Sequence, residues 1–190
     1  MTRAPFAMFA AGALVAAGWP SAGGAADWKS DPAASRLEFV ATFEGSAVPG
    51  TFRTFDARLR LDPERPGEGT LDVTVRLASA DMGIADVNRE IAGVAWFDYA
   101  AFPQASFRSS GLRRVTDGRY VAPGALTIKG VSRPLELPFA FAGSPRSAVI
   151  EGELSLERGA FGIGTGEWAS TGVVGPDVRV RFKVKLIPAE

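Results

Sequence analysis

Apolar and polar residues alternate one by one through most of the chain. Leu37, Phe39, Ala41 and Phe43 share one side of a first run, Phe55, Ala57, Leu59 and Leu61 one side of a second, and Leu71, Val73, Val75 and Leu77 one side of a third. The pattern returns at Leu126 with Ile128, then at Leu135, Leu137, Phe139 and Phe141. It closes with Ile150, Gly152, Leu154 and Leu156, and with Val178, Val180, Phe182, Val184 and Leu186. Successive side chains of a strand point to opposite faces, so this period of two marks strands with one buried and one solvated face. With residues 106–114 and 119–128 the count reaches about eight strands.

Turn chemistry separates the runs: Asp62-Pro63-Glu64-Arg65-Pro66-Gly67, Thr116-Asp117-Gly118, Lys129-Gly130 and Gly143-Ser144-Pro145. Asp, Pro and Gly supply the backbone angles of tight reversals, and short connections require antiparallel neighbours. Several strands run to about nine to eleven residues, and long unpaired edges invite aggregation, so the sheet is expected to close on itself. The expected fold is all-β, an eight-stranded antiparallel barrel. Such a barrel has room inside for side chains or for one small ligand. The inward phenylalanines either fill it or, beside the small residues Ala41, Ala57 and Gly152, leave an elongated apolar cavity.

One stretch, DVNREIAGVAWFDYAAFP at residues 86–103, breaks the alternation. It predicts one short helical segment near residues 86–98, capped by Asp86 and with Glu90 on its solvated face. Trp96, Phe97, Tyr99 and Phe102 crowd its second half.

The first residues read as an export signal rather than as part of the fold. A positive start at Arg3, an apolar run from Phe6 to Trp19 and the small residues Gly24-Ala25-Ala26 fit a signal peptide over residues 1–26, cleaved near Ala26. The apolar run is shorter than the roughly 20 residues that span a bilayer. A single domain at 27–190 remains, in a periplasmic setting. Without cysteine no disulfide helps it, so the core alone must hold the fold.

Charge and chemistry narrow the function. Lys plus Arg number 21 against 21 Asp plus Glu, so no net field draws nucleic acid. Arg179, Arg181, Lys183 and Lys185 fall on one face of the last strand, as a solvated outer face does. With neither His nor Cys in the chain, the commonest general base, the thiol nucleophile and most zinc sites are absent. Asp81, Asp86 and Glu90 are the carboxylates left for a hydrolase. The glycine-rich Phe161-Gly162-Ile163-Gly164-Thr165-Gly166 lacks the Lys and the following helix of a phosphate loop, and reads as a bend between strands.

Ordered motifs along nearly all of this domain resemble those of YceI-like proteins, exported lipocalin-like barrels that bind polyisoprenoids. They are Trp28 with Asp31, Ser35 and Phe39; Gly50, Phe52 and Phe55; Trp96-Phe97-Asp98 with Phe102-Pro103; and Phe107 with Ser109. Gly124-x-Leu126-Thr127-Ile128-Lys129-Gly130-Val131-Ser132-Arg133-Pro134 is the most specific, and Arg158 with Phe161-Gly162 comes last. One departure stands out: family members often carry Asp and His where this chain has Asn88 and Glu90.

The resemblance implies a non-enzymatic carrier or sensor of an isoprenoid, quinone-like or fatty-acyl molecule, with no covalently bound cofactor and with such a lipid co-purifying. The implied ligand wall is Phe39, Phe43, Phe52, Phe55, Val73, Val75, Ile91, Trp96, Phe97, Phe107, Leu126 and Ile128. Residues 86–98 would form a lid with Ile91, Val94, Trp96 and Phe97 turned inward, and Trp168 would stand apart in a loop between the last strands. The alternative is a barrel filled by its own side chains that serves as partner module to a membrane redox or envelope protein, through the 179–185 strip or the mouth loops. A homo-oligomer is compatible with either.

Overall fold

A computed structural model describes residues 25–189; the export segment expected over residues 1–26 lies almost wholly outside them. The described strands are β1 (Ala26–Ser30), β2 (Arg36–Phe43), β3 (Ser46–Phe52), β4 (Phe55–Leu61), β5 (Thr70–Arg76), β6 (Ala80–Asp81), β7 (Gln104–Ser109), β8 (Arg113–Thr116), β9 (Arg119–Ile128), β10 (Val131–Ser144), β11 (Ser147–Glu157) and β12 (Asp177–Pro188). One helix, α1 (Ala85–Glu90), interrupts them.

Eight of these strands close a barrel in the order β1-β4-β5-β7-β9-β10-β11-β12, and β12 returns to β1 through Trp28↔Pro188 and Ser30↔Leu186. Each pairing around the ring is antiparallel. The expected fold is therefore the observed one, although the strands that make up the eight differ in two places.

The run at 37–43 is β2, which lies outside the ring, pairing with β3 on one side and with the first half of β12 on the other, at Arg179↔Val40 through Lys183↔Arg36. The second half of β12 pairs with β1, whose five residues carry too little alternation to be seen in the sequence. A 3-10 turn at Pro32–Ala34 breaks what would be one long strand into these two, since proline removes a ladder donor. The run at 106–114 is likewise two strands. After Ser109 the chain turns at Gly111, whose φ of 135° is open to glycine, and β8 then folds back on β9.

Turn residues behave as their chemistry requires. Lys129 and Gly130 have φ of 50° and 74°, both positive as the tight hairpin between β9 and β10 demands. The turn expected at Gly143-Ser144-Pro145 falls slightly later, because β10 continues to Ser144, which pairs with Ser147.

Strand β4 shows why alternation closes the barrel: Phe55, Ala57, Leu59 and Leu61 are buried while the residues between them are exposed. Each such leucine removed from water contributes about 1.5–3 kcal/mol. Basic residues on β12 face outward and meet carboxylates. Arg179 and Arg181 pair with Glu153, Lys183 lies 3.4 Å from Glu151, and Lys185 lies 4.0 Å from Asp31. With four cations paired to three carboxylates, the strip is a largely compensated outer face.

Candidate ligand-binding cavity

The interior divides along the barrel axis. One half is packed solid by Trp28, Leu59, Leu61, Leu112, Tyr120 and Phe139, with the Tyr120 and Phe139 rings stacked 5.6 Å apart. The other half holds a partly open cavity of about 140 Å³. Its wall is aliphatic and aromatic apart from Ser106. Inward residues such as Val73, Leu126, Leu135 and Phe182 are only half-buried, because they face this space rather than other side chains.

Eight of the residues expected on the ligand wall line the cavity: Phe52, Phe55, Val73, Val75, Phe97, Phe107, Leu126 and Ile128. The other four do not, each for a local reason. Phe39 is buried, but its ring lies over Gly50 on the neighbouring strand, where an added Cβ would sit 2.3 Å from it, and packs 5.1 Å from Phe52. Phe43 ends β2 beyond the barrel and is 41% exposed, bridged to Val174. Ile91 is buried at the C-terminal end of α1, short of the cavity. Trp96 turns toward Trp168, with ring centroids 5.6 Å apart.

Sequence reasoning missed the contribution of the later strands. Leu135, Leu154, Leu156, Val180 and Phe182 also form the wall. Their alternation was visible, yet which end of a strand faces packed core and which faces space depends on the barrel's stagger. Gly152 acts indirectly: a Cβ there would lie 2.6 Å from the Phe182 ring, so the missing side chain makes room for that ring.

The 86–103 stretch caps the open half. Only residues 85–90 are helical, and successive turns follow, including Trp96 N–H to Gly93 O at 3.0 Å and Phe97 N–H to Ile91 O at 3.1 Å. Phe97 faces the cavity and meets Phe52 edge-on at 6.2 Å. Val94, expected inward, is 74% exposed instead. The turn that half-buries Trp96 leaves Val94 pointing outward, and the Val94 carbonyl accepts a hydrogen bond from Lys129 Nζ at 2.6 Å.

The helix is held differently from expectation as well. Its N-cap is Ile84, without a side-chain cap, and Asp86 pairs with Arg89. Asn88 does the anchoring: its amide donates to Asp81 at 2.8 Å and its carbonyl accepts from Met82 N–H at 2.8 Å. Asp81 is held below the usual carboxylate range by Asn88 first, then by Gly83 N–H and Arg53. Glu90 is more than a solvated residue, since it accepts a hydrogen bond from Trp168 Nε1 at 3.0 Å. Asp81, Asp86 and Glu90 thus serve separate contacts, and none lines the cavity.

The glycine-rich loop explains how the cap is secured. Arg158 is buried, and its guanidinium donates to five backbone carbonyls: Gly175 at 3.0 Å, Ile163 at 2.9 Å, Gly164 at 2.8 Å, Trp168 at 2.8 Å and Val174 at 2.9 Å. A phosphate loop presents N–H groups, whereas this loop presents carbonyls to a cation. In turn, Gly164 N–H and Thr165 N–H donate to Ala95 O at 2.8 and 2.9 Å. Trp168 therefore belongs to the same assembly as Trp96, and is no independent reference for it.

Comparison with known proteins agrees with this architecture. The family model described as a YceI-like domain matches residues 28–186. A UPF0312 protein of Photorhabdus laumondii is 32% identical over 88 residues, which cover 46% of this chain and 45% of that protein. BcnA of Burkholderia cenocepacia is 33% identical with a TM-score of 0.79, over 82% of this chain and 98% of BcnA. A polyisoprenoid binding domain from Saccharophagus degradans, 14% identical with a TM-score of 0.69 over 85% of this chain and 98% of that domain, has the same fold.

Proposed function

The chain belongs to the YceI-like domain family, and from that premise we propose that it is an exported, periplasmic, non-enzymatic carrier or sensor that holds a long apolar ligand inside its barrel. The ligand is isoprenoid, quinone-like or fatty-acyl. The carrying observation is the apolar cavity beneath Phe52 and Phe97, in a barrel whose other half is solidly packed. A hydrocarbon gains about 0.8 kcal/mol for each methylene removed from water and needs no titrating group to do so.

Volume sets a condition on this function. A cavity of about 140 Å³ is close to the size that encloses a benzene molecule, so it seats roughly six carbons. Burying these yields about 5 kcal/mol, equivalent to a dissociation constant of a few tenths of a millimolar at best. Tighter binding of a long chain requires the wall to yield. The irregular cap that carries Phe97 is the part to do so, since its backbone is held by turns rather than by a sheet ladder.

A chain-length series tests this directly. Affinity is measured for alcohols or amides of increasing length, together with mass spectrometry of an organic extract of gently purified protein. Beyond about six carbons each added methylene should raise affinity roughly fourfold if the cap yields. A plateau there restricts the protein to small ligands, and absence of both binding and extracted lipid sinks the carrier function.

A further inference from the structure

Among the described residues, two polar groups of the cap are buried without a hydrogen-bond partner: Trp96 Nε1 and Tyr99 Oη. A third, Trp28 Nε1, lies in the packed half, away from the cavity. A buried donor without an acceptor costs free energy, and such groups are rare in native proteins unless something else satisfies them.

Trp96, Phe97 and Tyr99 pack together against Leu77, Ala105, Ile128, Phe161 and Ile163. Leu77, Ala105 and Ile128 of this set also line the cavity, as does Phe97. Tyr99 lies one ring behind Phe97, its plane 16° from that ring's and the centroids 6.0 Å apart. A chain that outgrows the cavity by displacing Phe97 brings its end toward the cluster that holds these donors.

The charges around them restrict what that end can be. Among the described residues at this end of the barrel, the cations that are buried or half-buried are Lys129 and Arg158. Lys129 Nζ is engaged by Val94 O and Gly162 O at 2.6 and 2.8 Å, and Arg158 by its five carbonyls. Glu90 and Asp98 add negative charge nearby. A carboxylate or phosphate brought beneath the cap would find no free buried cation, and an uncompensated buried anion is costly.

We propose that Trp96 Nε1 and Tyr99 Oη donate hydrogen bonds to an uncharged, oxygen-bearing head group, such as a carbonyl or amide, and that this end of the cavity discriminates against anionic heads. The indole N–H is donor only, so the ligand must supply the acceptor. Burial, which raises the Tyr99 hydroxyl to about 12, keeps it protonated as a donor. This specificity rests on the carrier function above.

The test uses three ligands with one fifteen-carbon isoprenoid tail (on the order of the length that forces the cap to yield), ending in a methyl group, an amide or a carboxylate. Their dissociation constants are measured for the wild type, Tyr99→Phe and Trp96→Phe. The wild type should favour the amide over the methyl compound by about 5- to 10-fold, and each variant should lose about 2- to 10-fold for the amide alone. The carboxylate should bind at least about tenfold more weakly than the amide. Tyr99→Phe should melt no lower than the wild type, since it removes an unpaired buried hydroxyl. Equal amide affinity in wild type and both variants, or tightest binding of the carboxylate, overturns the assignment while leaving the carrier function intact. If the methyl compound also fails to bind, the carrier function fails and the assignment with it.

Discussion

Replacing Arg158 with lysine should damage this protein more than any other conservative change near the cap. The arginine fills five carbonyl acceptors at 2.8–3.0 Å, and it is 5% exposed. Lysine keeps the charge but brings three donors from one point, where the guanidinium brings five in a planar fork. At least two of the five carbonyls therefore lose their donor. Each buried acceptor left unpaired costs about 1–3 kcal/mol, which gives a loss of roughly 2–6 kcal/mol. For a chain of this size that corresponds to a fall in Tm of about 5–15 °C. Urea unfolding followed by circular dichroism measures the global loss. Hydrogen exchange should localise it to residues 161–176 and 94–97, because Gly164 and Thr165 donate to Ala95 O. Arg158→Met, of similar bulk but without donors, should be worse than lysine. A lysine variant within about 0.5 kcal/mol of the wild type, or protection lost evenly across the barrel, refutes the role given to the guanidinium.

Three further outcomes follow from particular contacts. Gly164→Ala places a Cβ 2.1 Å from Arg158 Nη1 at a residue with φ of +71°, so it should cost about 2–4 kcal/mol; Gly67→Ala, with open space around it, should stay within about 0.5 kcal/mol in the same urea assay. Glu90→Ala removes the acceptor of Trp168 Nε1, and should shift Trp emission to the red and speed ligand release while changing stability by less than about 1 kcal/mol; an unchanged release rate in stopped-flow displacement would show that this contact does not restrain the cap. Asp81, whose folded pKa lies below its unfolded value through Asn88, Gly83 and Arg53, stabilises the fold above about pH 4 and loses that contribution as pH falls through its folded pKa. Melting temperatures of Asp81→Asn should accordingly fall less steeply with acid than those of the wild type, and parallel curves would contradict the linkage.

Local pattern and chemistry made much of the barrel legible. Residues Phe55, Ala57, Leu59 and Leu61 face inward as their alternation requires, because a strand's geometry fixes the side from the period alone. Strands β1 and β3 were not legible: β1 is five residues long, and β3 carries Pro49 and Gly50 where alternation should be. At the candidate site, the motif residues Phe52, Phe55 and Phe107 stand on the cavity wall, whereas Phe43 lies outside it, because nothing in its run marks where the barrel ends. The three acidic residues offered as a hydrolase set are parted by their contacts: Asp81 with Asn88, Asp86 with Arg89, Glu90 with Trp168.

By itself the sequence determined that this chain makes a closed antiparallel sheet with an apolar interior, and that residues 86–103 stand outside it. Side-chain period and turn chemistry are local properties, readable without knowing which strands meet. Only the tertiary structure decided that one half of the interior is filled and the other hollow, that Val94 points out while Phe97 points in, and that Arg158 gathers five carbonyls to hold the cap. These depend on the stagger between strands and on contacts between residues far apart in the chain, such as Glu90 with Trp168 and Gly164 with Ala95. No periodicity encodes a meeting of that kind, because each partner's local pattern is satisfied whether or not the other is there.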